Sequence, residues 1–180
     1  YLTGKAHCIY GKMEDNNNNI NWILENFNDG STPSAFNLKF VMSTDLPSGT
    51  NGRFSENGYD FTVEINGNTL SNRTSLEVAG TILHEGIHAR LREFARRGNS
   101  NATTFPGIYD YYRIYEKNWD HQQMADYYRS TIAKGLKQFD NGQHTDQFYS
   151  DLAWRGLIAI KDLNGNTGNV SIYTEAWKKL

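Results

Sequence analysis

The segment from Thr74 to Arg97 constrains this chain more than any other. Thr74 and Glu77 stand at the spacing of a capping box, in which a hydroxyl and a carboxylate reciprocally satisfy the free N–H groups of a helix start. Beyond them Leu76, Val78, Ala79, Ile82, Leu83, Ile87, Leu91 and Phe94 are apolar, and Gly98-Asn99 supplies a stop. So wide an apolar stripe suits a helix packed under a sheet rather than one lying at the periphery. The fold must therefore be built around this helix, and any polar group buried on it needs a partner.

That helix carries His84-Glu85-Gly86-Ile87-His88. Residues four apart lie above one another on a helix, so the two imidazoles can bind a single ion while Glu85 projects beside them. Zinc in a catalytic site takes three protein ligands and keeps a position open for water, whose pKa it lowers to about 7. A neighbouring carboxylate can take the proton of that water as a carbonyl is attacked, which is the chemical reason for a Glu at this place in the motif. Gly86 costs about 1 kcal/mol of helix propensity relative to Ala. Close packing against a neighbouring backbone and room for a substrate are its two readings.

A closed mechanism needs a third ligand. The chain has one cysteine, Cys8, so neither a disulfide framework nor a thiolate zinc cluster is available, and the ligand must be His, Asp or Glu. Cys8 itself falls in an apolar pattern with Ala6 and Ile9 and is expected to be a buried, inert thiol. His121 is the first choice, because it opens a helical stripe that continues through Ala125, Tyr128, Ile132 and Leu136. Glu116 and Asp120 are reserves, although Asp120 is better explained as an N-cap bonding the N–H groups of Gln122 or Gln123. His144, in the polar loop Asn141 to Thr145, and His7, in the first helix, are weaker candidates.

The remaining pattern predicts an α+β domain. Helices are expected over Gly4 to Met13, with Thr3 as cap, and over Ile20 to Phe27. Ala35 to Ser43 alternates apolar and polar like a half-buried strand, and further strands are expected at Arg53 to Ser55 and Tyr59 to Ile65, joined through Glu56-Asn57-Gly58. These pieces predict a small, mostly antiparallel sheet. After residue 73 the chain reads as helix and loop, with helices at Ile108 to Lys117, Asp120 to Gln138 and Asp146 to Ile160. No repeat or linker divides residues 1–180. A formal charge of −2 and 38% hydrophobic residues give no electrostatic case for nucleic acid or anionic membrane, and no apolar run approaches the roughly 20 residues that membrane insertion requires. Because the chain starts at Tyr1, we read it as an excised or processed piece whose targeting signal, if it had one, is missing.

With these residues in view, the chain resembles the zincin superfamily of metallopeptidases: a small sheet packed on an active-site helix, followed by a helical half. It is not similar to metzincins, whose motif continues with Gly and a further His where Ala89-Arg90-Leu91-Arg92-Glu93 stands here. Nor does it match gluzincins, which would place Glu where His121 stands. Tyr1-Leu2-x-Gly4-Lys5-Ala6, Asp120-His121-Gln122-Gln123-Met124-Ala125 and Leu152-Ala153-Trp154-x-Gly156-Leu157, with the central motif, resemble zincin-like domains at the C-terminus of exported Bacteroidetes proteins. The likeness spans most of the chain, but only the metal motif is specific by its chemistry. It implies zinc ligands at His84, His88 and His121, Glu85 as general base and acid, a peptide or protein substrate, and an envelope or extracellular setting. Zincins commonly add an oxyanion-steadying Tyr or His, for which Tyr109, Tyr111, Tyr112, Tyr115, Tyr127 and Tyr128 are candidates. They also present the free edge of a cleft-side strand to an extended peptide, here expected to be Tyr59 to Ile65. The competing expectation is a non-catalytic, zinc-stabilised module that binds a surface partner. A third is a hydrolytic toxin-like effector aimed at one host or rival protein.

Overall fold

The computed structural model describes residues 1–16, 18–24, 27, 34–97, 119–157, 160–162 and 164–166. Helices α1 (Gly4–Asn16) and α2 (Asn18–Leu24) lead into strands β1 (Asn37–Ser43), β2 (Gly52–Asn57) and β3 (Asp60–Asn66). A 3-10 turn, Gly67–Asn72, then delivers the chain to the long helix α3 (Ser75–Arg97). After the residues not described come α4 (Trp119–Gln123), a π-helical stretch (Met124–Tyr128), α5 (Arg129–Phe139) and α6 (Asp146–Leu152). The expected helix from Ile108 to Lys117, the stop at Gly98-Asn99, Glu116, Tyr109, Tyr111, Tyr112, Tyr115 and the chain beyond residue 166 lie outside the described residues. No helix among those described is long and apolar enough to cross a membrane.

The architecture is α+β, but the sheet is mixed rather than mostly antiparallel. Its order is β1-β3-β2, with β3 parallel to β1 and antiparallel to β2. The antiparallel half follows from local chemistry. Asn57 pairs with Asp60 across a two-residue turn whose Gly58 has φ +58°, the left-handed conformation that glycine adopts without strain. The parallel half is a non-local pairing, since β1 reaches β3 only after the hairpin has folded back beside it. The alternation in β3 is as the sequence predicts: Phe61, Val63 and Ile65 are fully buried, while Glu64 on the other face pairs with Arg53 at 2.7 Å.

Helix α3 is central. Its capping box is formed as expected: the Thr74 N–H donates to the Glu77 carboxylate at 2.6 Å, and the Glu77 N–H donates to the Thr74 hydroxyl at 3.2 Å. All the apolar residues named on this helix are buried. They share one core with Ala6, Ile9 and Met13 of α1, Ile20 and Ile23 of α2, Val63 and Ile65 of β3, and Ile132 and Leu136 of α5. Gly86 faces Ile23, and a Cβ added there would lie 3.0 Å from the Ile23 Cγ2. It is a packing glycine, against a side chain rather than a backbone, and the substrate-room reading is set aside because it faces the core.

Two further expectations are corrected. Cys8 is exposed, because the buried stripe of α1 passes through Ala6, Ile9 and Met13 and leaves position 8 on the outer face. The last helix ends at Leu152 rather than Ile160: the chain turns through residues 153–157, where Gly156 has φ +81°, incompatible with helix.

Gly52 sets how closely β2 approaches α3. A Cβ added there would stand 2.5 Å from Thr81 Cγ2, 3.0 Å from Glu85 Cγ and 3.2 Å from the Glu64 carbonyl oxygen. Because one of these contacts is backbone, the crowding cannot be relieved by side chains alone. Gly52→Ala is therefore expected to destabilise the fold by about 1–3 kcal/mol, the usual cost of overpacking. Urea unfolding measures this, and an unchanged midpoint would contradict the close approach.

Candidate metal centre

His84 and His88 lie one turn apart on α3, and α4 brings His121 against them. One ligand atom from each of His84, His88 and His121 can be chosen so that all lie within 4.8 Å of one another, close enough to hold a metal ion. The ring centroids are 4.9 Å apart for His84 and His88, 4.7 Å for His88 and His121, and 5.6 Å for His84 and His121. The structure thus brings together the two motif histidines and the first-choice third histidine. His7 is exposed on α1, and His144 stacks on Phe148 and lies 3.8 Å from Asp140, so neither joins the cluster.

The His84 and His88 Nε2 atoms are 3.2 Å apart. Two imidazole lone pairs face each other at that distance only with something positive between them, either a proton or a cation. Two nitrogens on a tetrahedral zinc, each at about 2.0–2.1 Å, stand roughly 3.3 Å apart. The spacing therefore fits a shared ion, and the donor set of three imidazoles suits zinc. Protonation does not compete strongly. Burial, and then the neighbouring imidazoles, hold His84 well below the usual histidine range, and burial followed by His88 lowers His121. Both are held in the neutral form that binds metals.

Asp120 has a role other than the expected N-cap. Its Oδ2 lies 3.1 Å from His88 Nδ1, its Oδ1 accepts the His121 N–H at 2.9 Å, and Arg92 stands 3.9 Å from it. Asp120 falls inside α4 rather than ahead of it, so its carboxylate is free to turn toward α3. Burial pushes its pKa up, but the hydrogen bonds from His88 and from the His121 N–H, with the neighbouring imidazoles, outweigh that and bring it down to about 2. A carboxylate so firmly ionised only accepts, so the His88 proton sits on Nδ1 and its Nε2 lone pair faces the cluster. Asp120 therefore positions a ligand from behind instead of serving as a reserve ligand.

Glu85 is buried, and burial raises its pKa despite the opposing pull of His88 and of a hydrogen bond from the Phe54 backbone N–H. A carboxylate with a raised pKa beside a metal site is better poised to carry a proton than one at its usual value. β3 lies between β1 and β2, so the expected Tyr59 to Ile65 strand offers no free edge. The strand beside Glu85 is β2, which among the described residues is an edge of the sheet.

Gly156 closes the site from the far side. A Cβ there would lie 2.8 Å from His84 Cε1, so the turn that ends α6 can cover the imidazole only with glycine. The sequence assigned no role to Gly52, Phe54 or Gly156. The run Gly49-Thr50-Asn51-Gly52 and the lone Gly156 were the available signals, but a glycine's role emerges only once its neighbour across the fold is known. The π-helical stretch Met124–Tyr128, which follows the helix that carries His121, was equally hidden, although such stretches recur near functional sites. Of the tyrosines named for oxyanion support, Tyr128 is buried in the core and stacked on Trp22 at 5.7 Å, while Tyr127 is exposed.

A cavity of about 420 Å³ opens beside His84 and Glu85, within the size range of small-ligand sites. Compared with known proteins, the chain matches no protein-family model, no curated protein and no solved structure.

Asp120→Ala is expected to weaken metal binding by about 10- to 100-fold, the usual consequence of removing a residue that orients a ligand histidine. Competition with a chromophoric chelator reads this out. Unchanged affinity would mean that the Asp120–His88 contact does not prepare the ligand.

Proposed function

We propose that this chain is a zinc-dependent hydrolase, a metallopeptidase of the zincin kind, in which His84, His88 and His121 hold zinc and Glu85 is the general base. The observation that carries this reading is the convergence of ligand atoms from three histidines within 4.8 Å of one another, next to a cavity that His84 and Glu85 line. When bound, zinc supplies a Lewis acid that lowers the pKa of water to about 7 and polarises a carbonyl.

The chain's own residues do the rest. Asp120 fixes the His88 ring, and Gly156 packs on the His84 ring, so that both stay aimed at the centre. The Phe54 N–H steadies Glu85, whose carboxylate takes a proton as the water attacks and then returns it to the departing amine. Beside it, the outer edge of β2 provides backbone groups for an extended peptide, so substrate would add to this strand rather than to β3.

The cavity also favours a catalytic over a structural site. Structural zinc is closed off by four protein ligands, whereas among the described residues three histidines converge here and the Asp120 carboxylate is engaged with His88 Nδ1. Placement in the cell envelope or outside the cell is part of the same proposal and rests on the resemblance to exported domains.

Glu85→Gln keeps the shape of the side chain and removes the base. It is expected to lower kcat for peptide hydrolysis by about 10²- to 10⁴-fold, with zinc content and thermal unfolding nearly unchanged. Peptide turnover and bound metal measured on the same preparation check this, and full activity in the variant would overturn the role of Glu85.

A further inference from the structure

The cavity beside His84 and Glu85 has a polar side, where Thr50, Asn51 and Thr81 line it, and an apolar one. One wall is aliphatic: Leu76 from α3, Ile132 and Leu136 from α5, and Leu152 from α6. Between these side chains the surface is backbone, because Gly80 on α3 presents no side chain to the space. Gly80 lies one turn before His84 on the same helical face, so it sits directly beside the metal centre. Among the described residues, a Cβ built there would meet Leu136 Cδ2 at 3.6 Å, an ordinary contact, so a small side chain fits above Gly80 and a large one would intrude on the cavity.

Charge is absent from that room in any usable form. Among the described residues that line the cavity, the charged groups are Glu77, Glu85 and Arg155. Glu77 and Arg155 face each other at 3.6 Å, and Glu77 is also held by the capping box. Glu85 is assigned to the chemistry. A charged occupant would lose its hydration without finding an unclaimed counter-charge, which is costly, while an aliphatic or aromatic one would gain from leaving water.

We propose that this cavity is the specificity pocket of the enzyme, that it takes a bulky apolar side chain such as Leu, Phe or Met from a residue flanking the cut bond, and that Gly80 sets its depth. The assignment of the occupant to a peptide rests on the peptidase reading above. Because His84 and Glu85 line the same cavity, the side chain that fills it belongs to a residue next to the reacting carbonyl.

Two measurements on the zinc-loaded full chain test this separately from turnover. The first is calorimetric binding of amino-acid hydroxamates, which anchor on the metal and leave the side chain to probe the pocket. Leucine and phenylalanine hydroxamates are expected to bind roughly ten- to a hundredfold more tightly than those of glycine, aspartate or lysine, the gain from burying a large apolar side chain. Gly80→Leu should remove that advantage while glycine hydroxamate binds as before. Gly80→Ala, which the 3.6 Å contact accommodates, should reduce it only in part. Equal binding across the series, or tighter binding of a charged member, would overturn the proposal. The second measurement is cleavage of a mixed peptide library read by mass spectrometry, with bulky apolar residues expected beside the cut. An apolar preference in binding with no cleavage at all would sink the peptidase reading and leave the pocket assignment standing. Cleavage with no side-chain preference would do the reverse.

Discussion

The burial of α3 on nearly every side is the constraint on which the rest of this structure depends. A helix enclosed in this way cannot leave its polar residues to water, so each must be met by another part of the fold. Glu93, fully buried, has Arg90 at 3.7 Å, and Arg90 in turn lies over the Trp22 ring at 5.4 Å. Thr81 bonds to the Glu77 carbonyl and to the Arg73 guanidinium. Glu85 takes an N–H from Phe54, and His88 takes Asp120. At His84, among the described residues, the buried Nδ1 has no hydrogen-bond partner, and Nε2 faces the His88 Nε2 at 3.2 Å. Two imidazole nitrogens thus face each other where the three histidines converge, and a cation would meet both lone pairs.

The same enclosure gives the centre its electrostatic character. Burial moves the neighbouring groups in opposite directions, both of which suit the proposed chemistry: it lowers the pKa of His84 and His121, favouring the neutral, ligating form, and it raises that of Glu85. Asp120 is the counterexample that shows the balance. Also desolvated, it is nonetheless held ionised, because it has specific donors in His88 and the His121 N–H. One desolvated region therefore contains a carboxylate fixed as an acceptor and another with a raised pKa.

Much of this was legible in the sequence where the signal is local or periodic. The Thr74–Glu77 capping box, the buried stripe of α3, the alternation of Phe61, Val63 and Ile65, and the stripe behind His121 all obey fixed spacings, and all are present in the structure. The hairpin between β2 and β3 was legible for the same reason. What escaped was non-local. The parallel pairing of β1 with β3 has no signature in either strand taken alone, so the sheet read as mostly antiparallel and its free edge was assigned to the wrong strand. Asp120 was read through its own helix, although its decisive partner is 32 positions back on another one. Gly52 and Gly156 are glycines because of Thr81, Glu85 and His84, which the chain brings to them only when folded.

The central claim is that His84, His88 and His121 together hold one zinc ion and leave a coordination position open. X-ray absorption at the zinc edge on the zinc-loaded chain tests it most directly. The account predicts a first shell of three imidazole nitrogens and one non-protein oxygen at about 2.0–2.1 Å, with one imidazole lost from that shell in His121→Ala. A shell closed by four protein ligands, or one that His121→Ala leaves unchanged, would contradict it.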